Sequence, residues 1–378
     1  MCWSQRGVRL AAAIALLIAA LACRAAPAAP ASAPAGSNTG PTAANAGALP
    51  ANAGPSVADG AAPPAPTPAQ APEVDTLNVA VAATGSAYLP LQVAIDGGYM
   101  SQHGLTVNTS LVPASTAAQA LVAGSMDMYQ GGAAAIAARL GGSDIIYIAA
   151  AVDKSTLVLF GQQGITSFPQ FRGKTIATTA VGAFGEIAVN QTAKEYGMVA
   201  GQDFTMLYNP GPEAALSAFL AGAADGLIVT PPQTLEATER GYPVVVDYYQ
   251  QGLRINGPAM AVLRSFAETH PNALRAYLEG YLDGLKRTLD DREYALSVSR
   301  KYSRVDDPNL LAMDYEQGQR TWNKDMTVDR GAVEVVLQNS PLPNAKDANP
   351  DDFYDNRLIA EVNATYARRL FPEAFGSR

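Results

Sequence analysis

Two stretches of this chain, Leu121-Val-Ala-Gly-Ser-Met-Asp127 and Phe219-Leu-Ala-Gly-Ala-Ala-Asp225, share one form: an apolar helix stops at glycine, and an aspartate three residues later begins a short strand. Glycine suits such a stop because the left-handed conformation that ends a helix carries no Cβ penalty there. Alone, Ala-Gly-x-x-Asp marks only a helix feeding a strand. The flanks extend the match. Leu77 to Tyr88 (LNVAVAATGSAY) aligns with Lys174 to Gly185 (KTIATTAVGAFG), each an apolar or alternating run that enters a glycine-bearing turn. Val93 to Gly104 and Ala188 to Gly197 read as helices ending at glycine, and Leu105 to Leu111 and Phe204 to Tyr208 read as the strands after them. Pro113-Ala-Ser115 and Pro210-Gly-Pro212 then open a helix in each copy, with Ser115 read as an N-cap and Pro212 as a first helical residue. An offset of about a hundred residues is too long for a solenoid period. The expected class is α/β, with two similar lobes that are each a mainly parallel sheet flanked by helices.

The chain has 378 residues, 48% hydrophobic and 16% charged, enough for two ordinary domains with a sizeable core. A formal charge of -8 without basic runs lacks the footprint of a nucleic-acid binder. Its two histidines, His103 and His270, and two cysteines, Cys2 and Cys23, leave little for metal or nucleophilic chemistry.

At the start, Arg6 and Arg9 precede an apolar run from Leu10 to Leu21, which reads as a signal peptide over residues 1–22 and is too short for a comfortable membrane span. Ala22-Cys23 is similar to a bacterial lipoprotein cleavage site, at which Cys23 would carry the lipid; Ala20 and Leu21 depart from that pattern, and an ordinary signal peptide with an incidental cysteine is the alternative. Cleavage there would leave Cys23 as the sole cysteine and the mature domain without a disulfide. Residues 23–74 are dominated by Ala, Pro, Gly, Ser, Thr and Asn, which cannot bury enough surface to offset ordering entropy. This segment is expected to be a disordered tether with a reach of roughly 40 Å.

Beyond Asp225, strand Gly226 to Thr230, helix Gln233 to Arg240, and strands Tyr242 to Tyr249 and Pro258 to Leu263 lead into helices at 271–291, 292–302, 308–322, 330–338 and 357–369. Ala273, Leu274, Tyr277, Leu278, Tyr281, Leu282, Leu285 and Leu289 recur at spacings of 3 and 4, one buried stripe in which the tyrosines read as core. The closing helices are expected to pack on the lobe that opens the chain. That assigns residues 75–155 and 250–378 to lobe one and 156–249 to lobe two, with crossings near Ala151 to Leu159 and Tyr249 to Gly257.

No Gly-x-Ser-x-Gly elbow is present, and Gly173-Lys174-Thr175 is no phosphate-binding loop, because Phe168 stands where its first glycine belongs. Neither a catalytic residue, a metal site nor a cofactor is expected. Binding is expected instead, because ligands of parallel α/β sheets lie beyond the carboxyl ends of the strands. That rule selects Thr84, Ser86 and Tyr88 after the first strand, and Tyr129, Gln130 and Gly131 after the Asp127 strand. In the second lobe it selects Thr178, Thr179, Gly182, Phe184 and Glu186, then Asn209 and Thr230. These loops offer aromatic, amide and hydroxyl groups but no Arg or Lys. They suit a flat, neutral or weakly charged heterocycle with polar edges better than a strong anion, which usually meets an Arg fork. Glu186 is open to two readings, a partner for a ligand amino group or a first-turn carboxylate favoured by the helix dipole.

From Leu77 to about Tyr315 the chain resembles the solute-binding proteins of ABC importers for nitrate, sulfonates, taurine and thiamin-pyrimidine precursors. The resemblance is carried by Ala120-Leu-Val-Ala-Gly-Ser-Met-Asp127, Gly164-Ile-Thr-Ser167 with Phe171-Arg-Gly-Lys-Thr-Ile-Ala177, Leu216 to Asp225 (LSAFLAGAAD) and Thr269-His-Pro-Asn272, in that order. It implies a type II periplasmic-binding fold, with extra C-terminal helices on lobe one, that closes on a small molecule and passes it to permease subunits. The expected protein is then an extracytoplasmic monomer, not an enzyme, held to the membrane by a lipid on Cys23, with a thiamin-pyrimidine or riboflavin-type ligand. Its competitors are a sulfonate, taurine or nitrate receptor, a pyrimidine-biosynthesis enzyme on the same scaffold, and a sensor lipoprotein. Tyr129-Gln-Gly-Gly132 replaces the family's usual Pro or Ser after the Asp127 strand, and the cysteine-rich motif of the eukaryotic pyrimidine-forming relatives has no counterpart.

Overall fold

The computed structural model describes residues 70–376 except 341. The expected signal peptide, Cys23 and the tether up to residue 69 lie outside the described residues.

The chain first lays down β1 (Thr76–Val81), β2 (Thr106–Leu111), β3 (Met128–Gly131) and the long β4 (Ile145–Lys154). It then crosses to a second sheet for β5 (Val158–Gly161), β6 (Thr175–Thr178), β7 (Thr205–Tyr208), β8 (Gly226–Val229) and β9 (Val244–Asp247), and returns for β10 (Arg254–Leu263). The sheet orders are β2-β1-β3-β10-β4 and β7-β6-β8-β5-β9. Within each, four strands run in one direction and the strand that follows a crossing, β10 or β5, runs antiparallel between its neighbours. The sheets are therefore mixed rather than purely parallel, since a strand arriving directly from the other sheet enters from the carboxyl end. β4 is nearly continuously apolar, the pattern of a strand buried on both faces, which periodicity in the sequence does not separate from helix.

Helices cover both faces of the first sheet. On one, Leu274, Tyr277, Leu278, Tyr281, Leu282 and Leu285 of helix Pro271–Asp290 pack on Val79, Met128, Ile148 and Met260, so the stripe read from the sequence is core. Gly284 permits the close approach of helix Leu89–Asp96: a Cβ there would lie 2.5 Å from the Ala94 Cβ. On the other face, Val333, Val336 and Leu337 of helix Arg330–Asn339 join Tyr129, Tyr147 and Ala259. The span read as one helix from Val93 to Gly104 is two, Leu89–Asp96 and Tyr99–Gln102, divided at Gly98 with φ 74°. Helix Ala114–Val122 is capped at Pro113, with Ser115 inside its first turn. None of the described helices is long and apolar enough to cross a membrane.

The repeated aspartates do the same job in both lobes, at the amino ends of the sheets. The Asp127 carboxylate accepts the Asn78 backbone N–H at 2.8 Å, and the Asp127 N–H returns a bond to the Asn78 carbonyl at 2.9 Å. In the second sheet Asp225 accepts the Thr175 N–H at 3.0 Å and donates its own N–H to the Thr175 carbonyl at 2.8 Å. Each clamps the amino end of one parallel strand, β1 or β6, to the start of its neighbour, β3 or β8. Asp127→Ala and Asp225→Ala should each cost about 1 kcal/mol in denaturant unfolding and leave ligand affinity intact; an affinity change without a stability change would contradict that role.

A second brace ties the closing helices together. His103 bonds Asp283 through Nε2 at 2.8 Å and Glu279 through Nδ1 at 3.4 Å, while the Tyr366 hydroxyl donates to Asp283 at 2.8 Å. The Asp283 and Glu279 carboxylates raise the His103 pKa from 6.5 to about 9. Because the folded value exceeds the unfolded one, the contribution is complete below about pH 6.5 and is lost as pH rises through about 9. Between those limits the wild type should lose on the order of 2 kcal/mol relative to His103→Gln in urea melts.

Candidate functional site

The carboxyl ends of β1, β3, β6 and β8 point toward the crossings, so both sheets present their strand-end loops to one shared region. The crossings lie side by side: Val158 pairs with Asp247 and Arg254 with Lys154, and the Ser155 N–H donates to the Leu253 carbonyl at 2.9 Å. Two adjacent strand connections of this kind can bend together while holding the sheets in register.

The residues selected from the sequence divide into three groups. Thr84 is exposed and Ser86 half-buried at the mouth of the β1 loop, with Tyr88 buried behind them. Tyr129, Gln130 and Gly131 do not form a wall of the cleft. Side chains of a strand stand perpendicular to it, so Tyr129 packs into one layer of the first lobe and Gln130 faces the other. The Gln130 Oε1 accepts the Tyr277 hydroxyl at 3.1 Å, leaving its Nε2 and the nearby Tyr281 hydroxyl without partners. Burial pushes the Tyr129 phenol up to about 12. Its ring covers Gly131, where an added Cβ would fall 2.0 Å from the ring carbon that bears the hydroxyl.

In the second lobe, Thr178 is buried with an unpartnered hydroxyl, and Thr179 and Gly182 (φ 75°) continue into a turn that opens helix Phe184–Glu195. Glu186 braces this turn from within: it accepts the Gly182 N–H at 2.5 Å and the Tyr208 hydroxyl at 2.8 Å. Burial, then the adjacent Glu186 carboxylate, pushes Tyr208 up to about 12. The Asn209 amide donates to the Thr178 carbonyl at 3.0 Å and the Leu207 carbonyl at 2.9 Å, tying β6 to β7. Thr230 is half-buried after β8.

Phe184 is the member of the set that touches both lobes. Its ring lies over Gly132, where an added Cβ would come within 2.7 Å of it, and beside Gly257, where an added Cβ would lie 3.7 Å away. Ile187, one turn along, is buried in the first lobe's cluster, and Lys194 donates to Asn339 Oδ1 at 2.9 Å. Helix Phe184–Glu195 is thus the contact by which lobe two leans on lobe one.

The sequence reading missed Asp314. Helix Pro308–Thr321 brings its carboxylate to Ser86, whose hydroxyl donates to it at 2.7 Å, and burial raises its pKa above the ordinary value. Rules that search strand ends do not reach it, because it comes from a closing helix 228 residues away in the chain. A cavity of about 470 Å³ lies elsewhere, along helix Phe184–Glu195 beside Gln191, Tyr248, Arg254 and Val335. It touches none of the strand-end loops.

Two mixed sheets joined by a double crossing, with strand ends facing a common cleft, define the class: the two-lobed fold of periplasmic solute-binding proteins. A family model described as NMT1/THI5-like matches residues 86–295, more than half of the chain, and the chain belongs to that family. Among solved structures, the alkanesulfonate-binding protein SsuA from Xanthomonas axonopodis pv. citri bound to MOPS is similar at TM-score 0.59 and 18% identity, over 76% of this chain and 98% of that one. The periplasmic nitrate-binding protein NrtA from Synechocystis PCC 6803 is similar at TM-score 0.59 and 16% identity, over 79% and 90%. The desulfurization enzyme DSZB is similar at TM-score 0.55 and 12% identity, over 77% and 99%, so the same fold also serves an enzyme. At such identities the likeness is one of fold. No curated protein matches the sequence.

Gly132→Ala should displace the Phe184 ring and loosen the contact between the lobes. Small-angle scattering is expected to show a larger radius of gyration, with a stability loss of about 1–3 kcal/mol; an unchanged radius would mean that Phe184 does not hold the lobes together.

Proposed function

We propose that this chain is an extracytoplasmic receptor of an ABC importer, tethered through a lipid on Cys23, that captures a small aromatic heterocycle between its lobes. The observation that carries the reading is the composition of the strand-end loops, held opposite one another by the double crossing. They combine the Thr84 and Thr230 hydroxyls and the Phe184 ring with the Asp314 carboxylate, which no cation offsets, an environment unfavourable to a sulfonate or nitrate and favourable to a ring with polar edges. We assign residues 75–155 and 250–378 to lobe one and 156–249 to lobe two, with the ligand selecting the closed state through contacts to both.

The placement of the two histidines supports a receptor over an enzyme. His103 is bound to Asp283 and Glu279 among the closing helices, and His270 stacks on Phe266 at 4.2 Å. Both are committed away from the strand-end loops, where a general base would be needed.

A thermal-shift panel tests the ligand class. Riboflavin or 4-amino-5-hydroxymethyl-2-methylpyrimidine should stabilise the mature domain by about 2.7 kcal/mol at a hundredfold excess over Kd. Stabilisation by alkanesulfonates or nitrate alone would refute the heterocycle. For the anchor, Cys23→Ser in the full-length chain should move the protein from the membrane to the soluble fraction, and continued membrane association would refute lipidation.

A further inference from the structure

Beyond β1 the backbone turns through Gly85 at φ 110°, and Ser86 is then fixed from two sides. The Trp322 indole Nε1 donates to the Ser86 carbonyl at 2.8 Å, and the Ser86 hydroxyl donates to Asp314 Oδ1 at 2.7 Å. One turn along the same helix, Gln317 donates to the Thr156 carbonyl at 3.4 Å, so this helix face meets the crossing segment between β4 and β5. The carboxylate therefore stands where the β1 loop and the hinge converge.

Beside it is an open niche. Apart from its chain neighbours Thr84 and Ser86, a Cβ built on Gly85 would meet only the two Asp314 carboxylate oxygens within 4 Å, at 3.5 and 3.8 Å. Among the described residues Asp314 forms no ion pair, and its carboxylate accepts the Ser86 hydroxyl. Desolvation raises its pKa, as expected for a charge with no cation to offset it. A carboxylate accepts up to four hydrogen bonds, so the niche side keeps acceptor capacity that the protein does not use. Asp314 also lies beyond the segment that the family model matches.

We propose that Asp314, held by Ser86 and facing the niche at Gly85, is the subsite that reads a hydrogen-bond-donating nitrogen of the ligand: an exocyclic amino group, an amidine or an ammonium. The assignment rests on the receptor reading above and narrows it, because it asks the ligand to present a nitrogen donor where the β1 loop meets the hinge. A donor placed there replaces lost hydration with a charge-assisted bond, while a ligand presenting an acceptor leaves the carboxylate buried and unpaired. Selectivity for the amine-bearing member of a matched pair follows.

The test is calorimetric titration of the mature domain with two matched pairs: 4-amino-5-hydroxymethyl-2-methylpyrimidine against its 4-hydroxy counterpart, and taurine against ethanesulfonate. The wild type should favour the amine-bearing member of the pair it binds by about 10- to 100-fold. Asp314→Asn should reduce that ratio to about threefold or less, by weakening the amine-bearing member and relieving the penalty on the amine-free one. Asp314→Ala, which removes the charge with a smaller side chain, should give the same loss and serves if the first variant unfolds. Equal binding of both members by the wild type, or a ratio that survives both substitutions, overturns the subsite. An Asp314-dependent preference in the taurine pair alone would keep the subsite and refute the heterocycle, whereas pyrimidines bound regardless of residue 314 would do the reverse. A wild type that takes none of the four counts against both.

Discussion

The structure depends on the double crossing between its sheets. β4 hands the chain to β5, β9 hands it back to β10, and the two connections run side by side, with the Tyr248 N–H donating to the Leu157 carbonyl at 3.1 Å and the Ser155 N–H to the Leu253 carbonyl at 2.9 Å. A strand that leaves one sheet at its carboxyl end and enters the other from the same end must run antiparallel to its new neighbours. β5 and β10 do so, and they occupy equivalent places in the two strand orders. The same geometry turns the carboxyl ends of both sheets toward one another. The facing strand ends and the mixed sheets are two consequences of one connection.

The opposite ends of the sheets are locked. Asp127 and Asp225 each exchange two backbone bonds with the first parallel strand of their own sheet, giving each lobe a fixed amino end against which the other end can be loaded with loops. Loops on a rigid scaffold can carry recognition without costing the fold its core. Here that division is almost complete. The buried tyrosines of helix Pro271–Asp290 belong to the scaffold, while Ser86, Phe184 and Asp314 lie at or beside the strand-end loops.

Much of the fold was legible because its signals are local. Helix ends at Gly124 and Gly222, the apolar stripe from Ala273 to Leu289, and the strands flanking each turn follow from backbone preference and periodicity. The site was less legible. The strand-end rule selects Thr84 and Ser86, which reach solvent, and also Tyr129 and Gln130, which lie in the core, because the rule locates a backbone and does not say which way a strand residue points. Glu186 had two open readings, and its bonds to Gly182 and Tyr208 make it a brace within its own lobe.

By itself the sequence determined the two-lobed α/β architecture, the duplicated clamp and the scarcity of residues for acid-base chemistry, since each is written in composition or in spacing along the chain. Only the tertiary structure decided how the lobes meet and what stands in the cleft. Phe184 lies over Gly132, and Asp314 reaches Ser86 across 228 residues, because packing of the closing helices brings distant segments together. Such contacts leave no local period in the sequence, and an isolated aspartate in a helix looks like any solvated charge until the fold places a strand end, an indole and an open niche around it.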